Sequence, residues 1–126
     1  MNNQSKTVRN GHTKLEAEIQ RQIEAAIGAE PDLLLMKNSV GKARHATRDG
    51  KEFHVPYGLG DGSPDLVGVL APRGTWICLE VKVPGEDPDP HQAKCHEIWR
   101  RFGALVFTVH DVQEARAALA TARGLR

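Results

Sequence analysis

The chain has 126 residues, 40% of them hydrophobic and 26% charged, which suits one globular domain able to bury about two-thirds of its unfolded surface. A formal charge of +1 excludes a strongly basic protein, so affinity for a polyanion must come from local clusters. No apolar run reaches the length of a membrane span, and the polar start, MNNQSKTVRNGHTK, lacks the apolar core of a signal peptide. The expected location is cytoplasmic, and the two cysteines are expected as reduced thiols.

Residues 1–11 read as a polar tail, and residues 12–126 as a single domain. A helix is expected from Thr13, with Glu16 completing a capping box and Gly28 ending it. Leu15, Ile19, Ile23, Ala26 and Ile27 form its apolar stripe, bordered by a row through His12, Glu16, Gln20 and Ile23. After the Glu30-Pro31-Asp32 break, Leu33-Leu34-Leu35-Met36 suits a short buried strand, with Met36 filling core. Residues 37–57 carry Lys37, Lys42, Arg44, Arg48 and Lys51 against only Asp49 and Glu52, with His45 and His54 nearby. This basic excursion, a hairpin tipped at Asp49-Gly50, suits contact with a phosphate backbone through Lys37, Lys42, Arg44, His45, Arg48 and Lys51; scattered solubilising charge is the plain alternative.

The glycine-rich Gly58-Leu59-Gly60-Asp61-Gly62 lacks the strand before and helix after that a nucleotide-binding loop requires, so a close approach of substrate is the better use of its glycines. Two β-rich runs follow, Asp65–Ala71 and Thr75–Val83, joined by Pro72-Arg73-Gly74, which fits a type I turn. Pairing Ala71 with Gly74 sets Asp65 directly opposite Glu80. Period-two alternation sends Glu80 and Lys82 to one face, with Ile77, Leu79, Val81 and Val83 on the other. Charge inside so apolar a hairpin is costly unless paired or bound to a cation. An exposed cross-strand ion pair is the ordinary use of such residues. Two carboxylates and a lysine on one face also suit a hard cation such as Mg²⁺, with the ammonium acting on water or on developing charge.

Beyond the Pro84–Pro90 loop, a helix is expected from Pro90 to Arg101 with Asp89 as its cap and Gln92 in its first turn. Its apolar side reads as Cys95, Ile98, Trp99 and Phe102, with Lys94, Arg100 and Arg101 pointing elsewhere. Ala104–Val109 reads as a final strand, and Asp111 caps a closing helix to about Ala122 whose Val112, Ala115, Ala118 and Leu119 face inward, leaving Arg123 and Arg126 to fray. Cys78, His91, Cys95 and His96 form a rival, zinc-like set, but tight ligand knuckles are missing, so core cysteines and surface histidines are the expectation.

Pro64-Asp65 with Glu80-Val81-Lys82 resembles the PD-(D/E)xK nuclease superfamily. The segments GDGSPDLVG, LEVKVPG and PHQAKCHEIWRRFGA resemble, within it, the virus-type replication–repair nuclease (VRR-NUC) domain over roughly residues 12 to 115. The resemblance implies an α/β, restriction-endonuclease-like core, a mixed central sheet flanked by helices in the order α-β-β-β-α-β-α. It implies Mg²⁺ or Mn²⁺ held by Glu16, Asp65, Glu80 and the Val81 carbonyl, with Lys82 and Gln92 as catalytic partners and no organic cofactor; Glu18 and Glu24 compete with Glu16. It further implies a homodimeric DNA endonuclease selective for branched, flapped or Holliday-junction-like DNA in phage or bacterial replication, recombination or repair. A non-catalytic DNA-binding module and a small restriction-type enzyme are the alternatives.

Overall fold

A computed structural model describes residues 13–126; the expected tail at residues 1–11, and His12, lie outside the described residues. The elements run α1 (Lys14–Ile27), β1 (Leu33–Lys37), β2 (Gly41–Ala46), β3 (Glu52–Tyr57), β4 (Leu66–Leu70), β5 (Thr75–Val81), α2 (Pro90–Arg101), β6 (Leu105–Val109) and α3 (Val112–Leu125). The four-stranded sheet has the order β1-β4-β5-β6, antiparallel except for the parallel β5–β6 pair made by the α2 crossover. This is the mixed sheet flanked by helices that the element order predicts.

The β4–β5 register matches the sequence reading: Leu70 pairs with Thr75 and Leu66 with Leu79, so one further step sets Asp65 across from Glu80. The turn differs. It is not type I: the Ala71–Pro72 bond is cis, and the Gly74 N–H donates to the Leu70 carbonyl, four residues back. The left-handed φ of Gly74, +74°, closes the loop without slipping the strands.

The two sheet faces are covered unequally. Ile77, Leu79 and Val81 join Leu66, Leu70 and Val109 in the main core under α1 (Ile19, Ile23, Ile27) and α3 (Ala115, Ala118, Leu119). On the other face, α2 covers only a small cluster of Val67, Cys78 and Val106, with Trp99 and Ala104 against it. β1 is therefore an edge strand with one open face. Leu33 is buried, but Leu34 is 63% exposed and Met36 41% exposed, so Met36 does not fill the core. Uniform apolar runs do not reveal which face lacks a helix.

Three helical expectations also change. Leu15 of the expected α1 stripe is exposed, because α1 turns Glu16 and Gln20 inward beside Ile19 and Ile23. On α2, the expected apolar side is split: Trp99 packs against the sheet, but Phe102 is 89% exposed and Ile98 is exposed as well, while His96 is buried. Arg123 and Arg126 do not fray. Arg123 reaches Glu30 at 2.5 Å and Asp32 at 2.8 Å, and Arg126 meets Asp32 at 2.7 Å, which ties α3 to the α1–β1 loop. Their guanidiniums hold the Asp32 carboxyl far below the usual carboxylate range.

Candidate active site

At the β4–β5 end of the sheet, three charged side chains are buried together: Asp65, Glu80 and Lys82. Glu80 lies on β5 and Lys82 one step beyond it, and alternation gives both the α2-facing side. Asp65 precedes β4 and is fixed through backbone and side chain alike. The Asn38 N–H donates to its carbonyl at 2.8 Å, extending the β1–β4 ladder, and the Val81 N–H donates to Asp65 Oδ2 at 2.7 Å.

The electrostatics follow from this packing. Burial, then the Asp65 charge and a hydrogen bond with the Asp65 carboxyl, push the Glu80 carboxyl up to about 9 from an ordinary 4.5. The Lys82 ammonium opposes that rise and Glu16 adds to it. At neutral pH Glu80 therefore holds a proton in the metal-free protein. Lys82 is buried beside this acid pair, close enough for its ammonium to act on Glu80.

Helix α2 closes the site from above. Asp89 caps it, and Gln92 completes a capping box, its Oε1 accepting from the Asp89 N–H at 3.0 Å. With that oxygen engaged, the Gln92 Nε2 points at Glu80 and donates to Oε2 at 3.2 Å. One turn later, His96 Nε2 lies 3.1 Å from Glu80 Oε1. His96 is thus not a surface histidine but one of the most completely buried large side chains. Burial is the main cause lowering its pKa, with Arg100 next, so the imidazole is neutral. The signal was present in the sequence as the i, i+4 spacing from Gln92, a pair that must share a helix face.

Glu16 and Glu18 separate cleanly. Glu16 is buried, accepts the Thr13 N–H at 3.2 Å in the capping box, and its charge is felt at Glu80. Glu18 is exposed and paired with Arg21, and Glu24 binds the Gln20 amide at 3.2 Å. The capping role and proximity to the acid pair are therefore both real for Glu16.

An open cleft of about 470 Å³ gives access, with Asp65 among its lining residues beside Gln20, Arg21, Lys37, His91 and Gln92. Asn38, unmarked in the sequence, holds one wall. Its Nδ2 donates to Ser63 Oγ and the Pro64 carbonyl, both at 2.7 Å, and its Oδ1 accepts from the Leu59 N–H at 3.0 Å. No periodicity marks such a residue, because its partners are 21 to 26 positions away. The same loop leans on α2, where His91 Nε2 lies 3.5 Å from Asp61.

The basic excursion is a separate β2–β3 hairpin, with its tip turn at residues 47–51 and Gly50 at φ +88°. Its register puts Lys42 and Arg44 on one face, across from Pro56 and His54, while His45 lies on the other and stacks on Phe53 at 5.4 Å. Arg48 and Lys51 lie in the tip turn, and Lys37 lines the cleft instead. The expected phosphate-binding set is therefore spread over a cleft wall, one hairpin face and the tip, with His45 facing away from Lys42 and Arg44. The zinc-like set does not assemble: Cys78 is buried beneath Trp99, while His96 is engaged with Glu80.

Among the described residues, no three His, Cys, Asp or Glu side chains form a group that could hold a metal ion. Two buried carboxyls, Asp65 and Glu80, do meet, however, and Glu80 is the one held protonated. Mg²⁺ keeps several waters and needs only one or two carboxylates, so the donor chemistry fits a hard divalent cation in the proton's place.

A central mixed sheet flanked by helices is the architecture of the restriction-endonuclease-like folds. A solved structure described as a VRR_NUC domain matches this chain with a TM-score of 0.58 at 27% identity, over 84% of this chain and 95% of that one. The chain has the fold of a VRR-NUC domain of the PD-(D/E)xK nuclease superfamily. Neither a scan against protein-family models nor a search of curated proteins finds a match. Among the described residues, no helix is long and apolar enough to cross a membrane.

Proposed function

We propose that the chain is a divalent-metal-dependent DNA endonuclease that hydrolyses phosphodiester bonds in branched, flapped or four-way-junction DNA, in phage or bacterial replication, recombination or repair. The observation that carries this reading is the buried meeting of Asp65 and Glu80 with Lys82 on the same face. Asp65 and Glu80, with Glu16 and the Val81 carbonyl, would hold Mg²⁺ or Mn²⁺. Bound there, the cation would acidify water and neutralise charge growing on a phosphoryl oxygen.

The remaining roles belong to the chain itself. The Lys82 ammonium orients the attacking water and stabilises the charge of the pentavalent state, an interaction strengthened by its burial. Gln92 fixes the Glu80 carboxyl through its amide. Lys37 and Arg21 meet phosphates in the cleft, and Lys42, Arg44, Arg48 and Lys51 extend that contact along the hairpin.

A second copy of the chain completes the particle in this reading. Leu34, Met36, Trp76, Ile98 and Phe102 are all exposed apolar side chains. Trp76, Ile98 and Phe102, with Leu59 and Trp99, line an apolar basin of about 660 Å³. A stable interface needs about 800 Å² per partner, and aromatic side chains bring about 150–250 Å² each. This half-covered face would supply the apolar centre of such a contact.

The test is cleavage of plasmid, flap and four-way-junction DNA at fixed salt with Mg²⁺ or Mn²⁺, comparing wild type with Asp65→Ala and Lys82→Ala. Lys82→Ala should lower the rate about 10²–10⁴-fold with metal binding retained, and Asp65→Ala should lose both. Wild type that binds these DNAs and cuts none of them would replace the enzyme by a non-catalytic DNA-binding module.

A further inference from the structure

Helix α2 has one buried residue, and it is a histidine. Packing alone does not explain that choice. An imidazole taken out of water costs several kcal/mol unless its polar atoms are satisfied, whereas Leu or Phe would fill the same space without that cost. The side-chain partner of its Nε2 is Glu80 Oε1 at 3.1 Å, 16 residues away on β5. The other Glu80 oxygen is taken by Gln92 Nε2 at 3.2 Å. Gln92 and His96 lie one helical turn apart, so α2 grips both oxygens of one carboxyl from one side.

We propose that His96 is a positioning residue for the metal-binding carboxylate: its Nε2–H, with the Gln92 amide, fixes the plane of Glu80 so that the remaining lone pairs face Asp65 and the cleft. This inference rests on the nuclease reading and assigns to α2 a role beyond covering the sheet. A carboxyl held at one oxygen can rotate about its last bond; held at both, it presents a single geometry. Partners that orient a ligand in this way are worth about 10–100-fold in metal affinity.

The experiment measures Mn²⁺ binding to the full chain without DNA, by paramagnetic resonance of free Mn²⁺, alongside urea unfolding in EDTA and junction cleavage. His96→Phe keeps the ring and removes the nitrogens. His96→Gln keeps an amide N–H near the place of Nε2. His96→Asn has an amide too short to reach Oε1. Phe and Asn should bind Mn²⁺ about 10–100-fold more weakly than wild type. Gln should regain most of the affinity and of the cleavage rate, with unfolding in EDTA showing each variant folded.

Equal Mn²⁺ affinity in wild type, Gln and Asn overturns the proposal, as does a Gln variant no better than Asn. The Gln–Asn comparison decides the matter even where the Phe variant does not fold. Wild type that binds Mn²⁺ and cuts DNA, with all variants like it, removes only the role of His96. Wild type that neither binds Mn²⁺ nor cuts removes the nuclease reading and this inference with it.

Discussion

Replacing Glu80 by Gln should make the metal-free protein more stable at alkaline pH while destroying the metal site proposed above. Folded Glu80 keeps its proton up to about 9, whereas in the unfolded chain the same group ionises near its ordinary value of 4.5. Between these values the folded state binds one more proton than the unfolded state, so stability falls as pH rises, by up to about 1.4 kcal/mol per pH unit. Between about pH 7 and 8.5 that amounts to a ceiling of about 2 kcal/mol, and water reaching the cleft reduces it to about 1 kcal/mol. His96 is neutral in the folded state over this window, because its folded pKa is lowered from 6.5, and its unfolded-state titration is common to both proteins. The Cys78 thiol, pushed up to about 12 by burial, is silent there as well. Glutamine keeps the neutral, hydrogen-bonded shape of the protonated acid but cannot ionise. Urea unfolding in EDTA at the two pH values should show wild type losing about 1–2 kcal/mol more than Glu80→Gln. Added Mg²⁺ should stabilise wild type by about 2.7 kcal/mol at a hundredfold excess over its dissociation constant, and leave Glu80→Gln unchanged. Parallel pH profiles for the two proteins would mean that Glu80 is ionised in the apo state, and the account of a protonated Glu80 would be wrong.

Removing Lys42 and Arg44 together should weaken DNA binding and flatten the plot of log affinity against log salt by about 0.9 per lost phosphate contact. His45→Ala, on the opposite hairpin face, should leave that slope nearly unchanged; a double variant with the wild-type slope would exclude the hairpin from the interface. Wild type should elute at twice the chain mass in size-exclusion chromatography with light scattering, and Ile98→Asp with Phe102→Asp should return it to a monomer. Both residues are exposed, so the fold itself should survive. Gly62→Ala should cost about 1–3 kcal/mol in urea unfolding. Its φ is +85°, and an added Cβ would meet the His91 ring at 3.1 Å and the Cys95 Cβ at 3.3 Å. A neutral result would show that the loop moves away from α2 freely.

The chain's order of residues was sufficient for most of what short-range geometry sets. Alternation alone assigns Glu80 and Lys82 to one face of β5, and the spacing of Asp65 from a Pro-Gly turn sets it across from Glu80 even though the turn closes differently from a type I turn. Caps at Thr13, Asp89 and Asp111 are readable because a capping side chain bonds to a backbone N–H two or three residues on. Packing decided the rest. Glu16 and Glu18 are equally acidic and two residues apart on α1; only the way α1 lies on the sheet buries the first and leaves the second with Arg21. On α2, hydropathy points to Ile98 and Phe102 as the inward side, yet those residues face out. The helix instead turns Gln92 and His96 toward a buried acid on another strand, and no window on the helix contains that partner. Arg123 is anchored for the same reason: Asp32 is 91 positions away and becomes a neighbour only once α3 has docked.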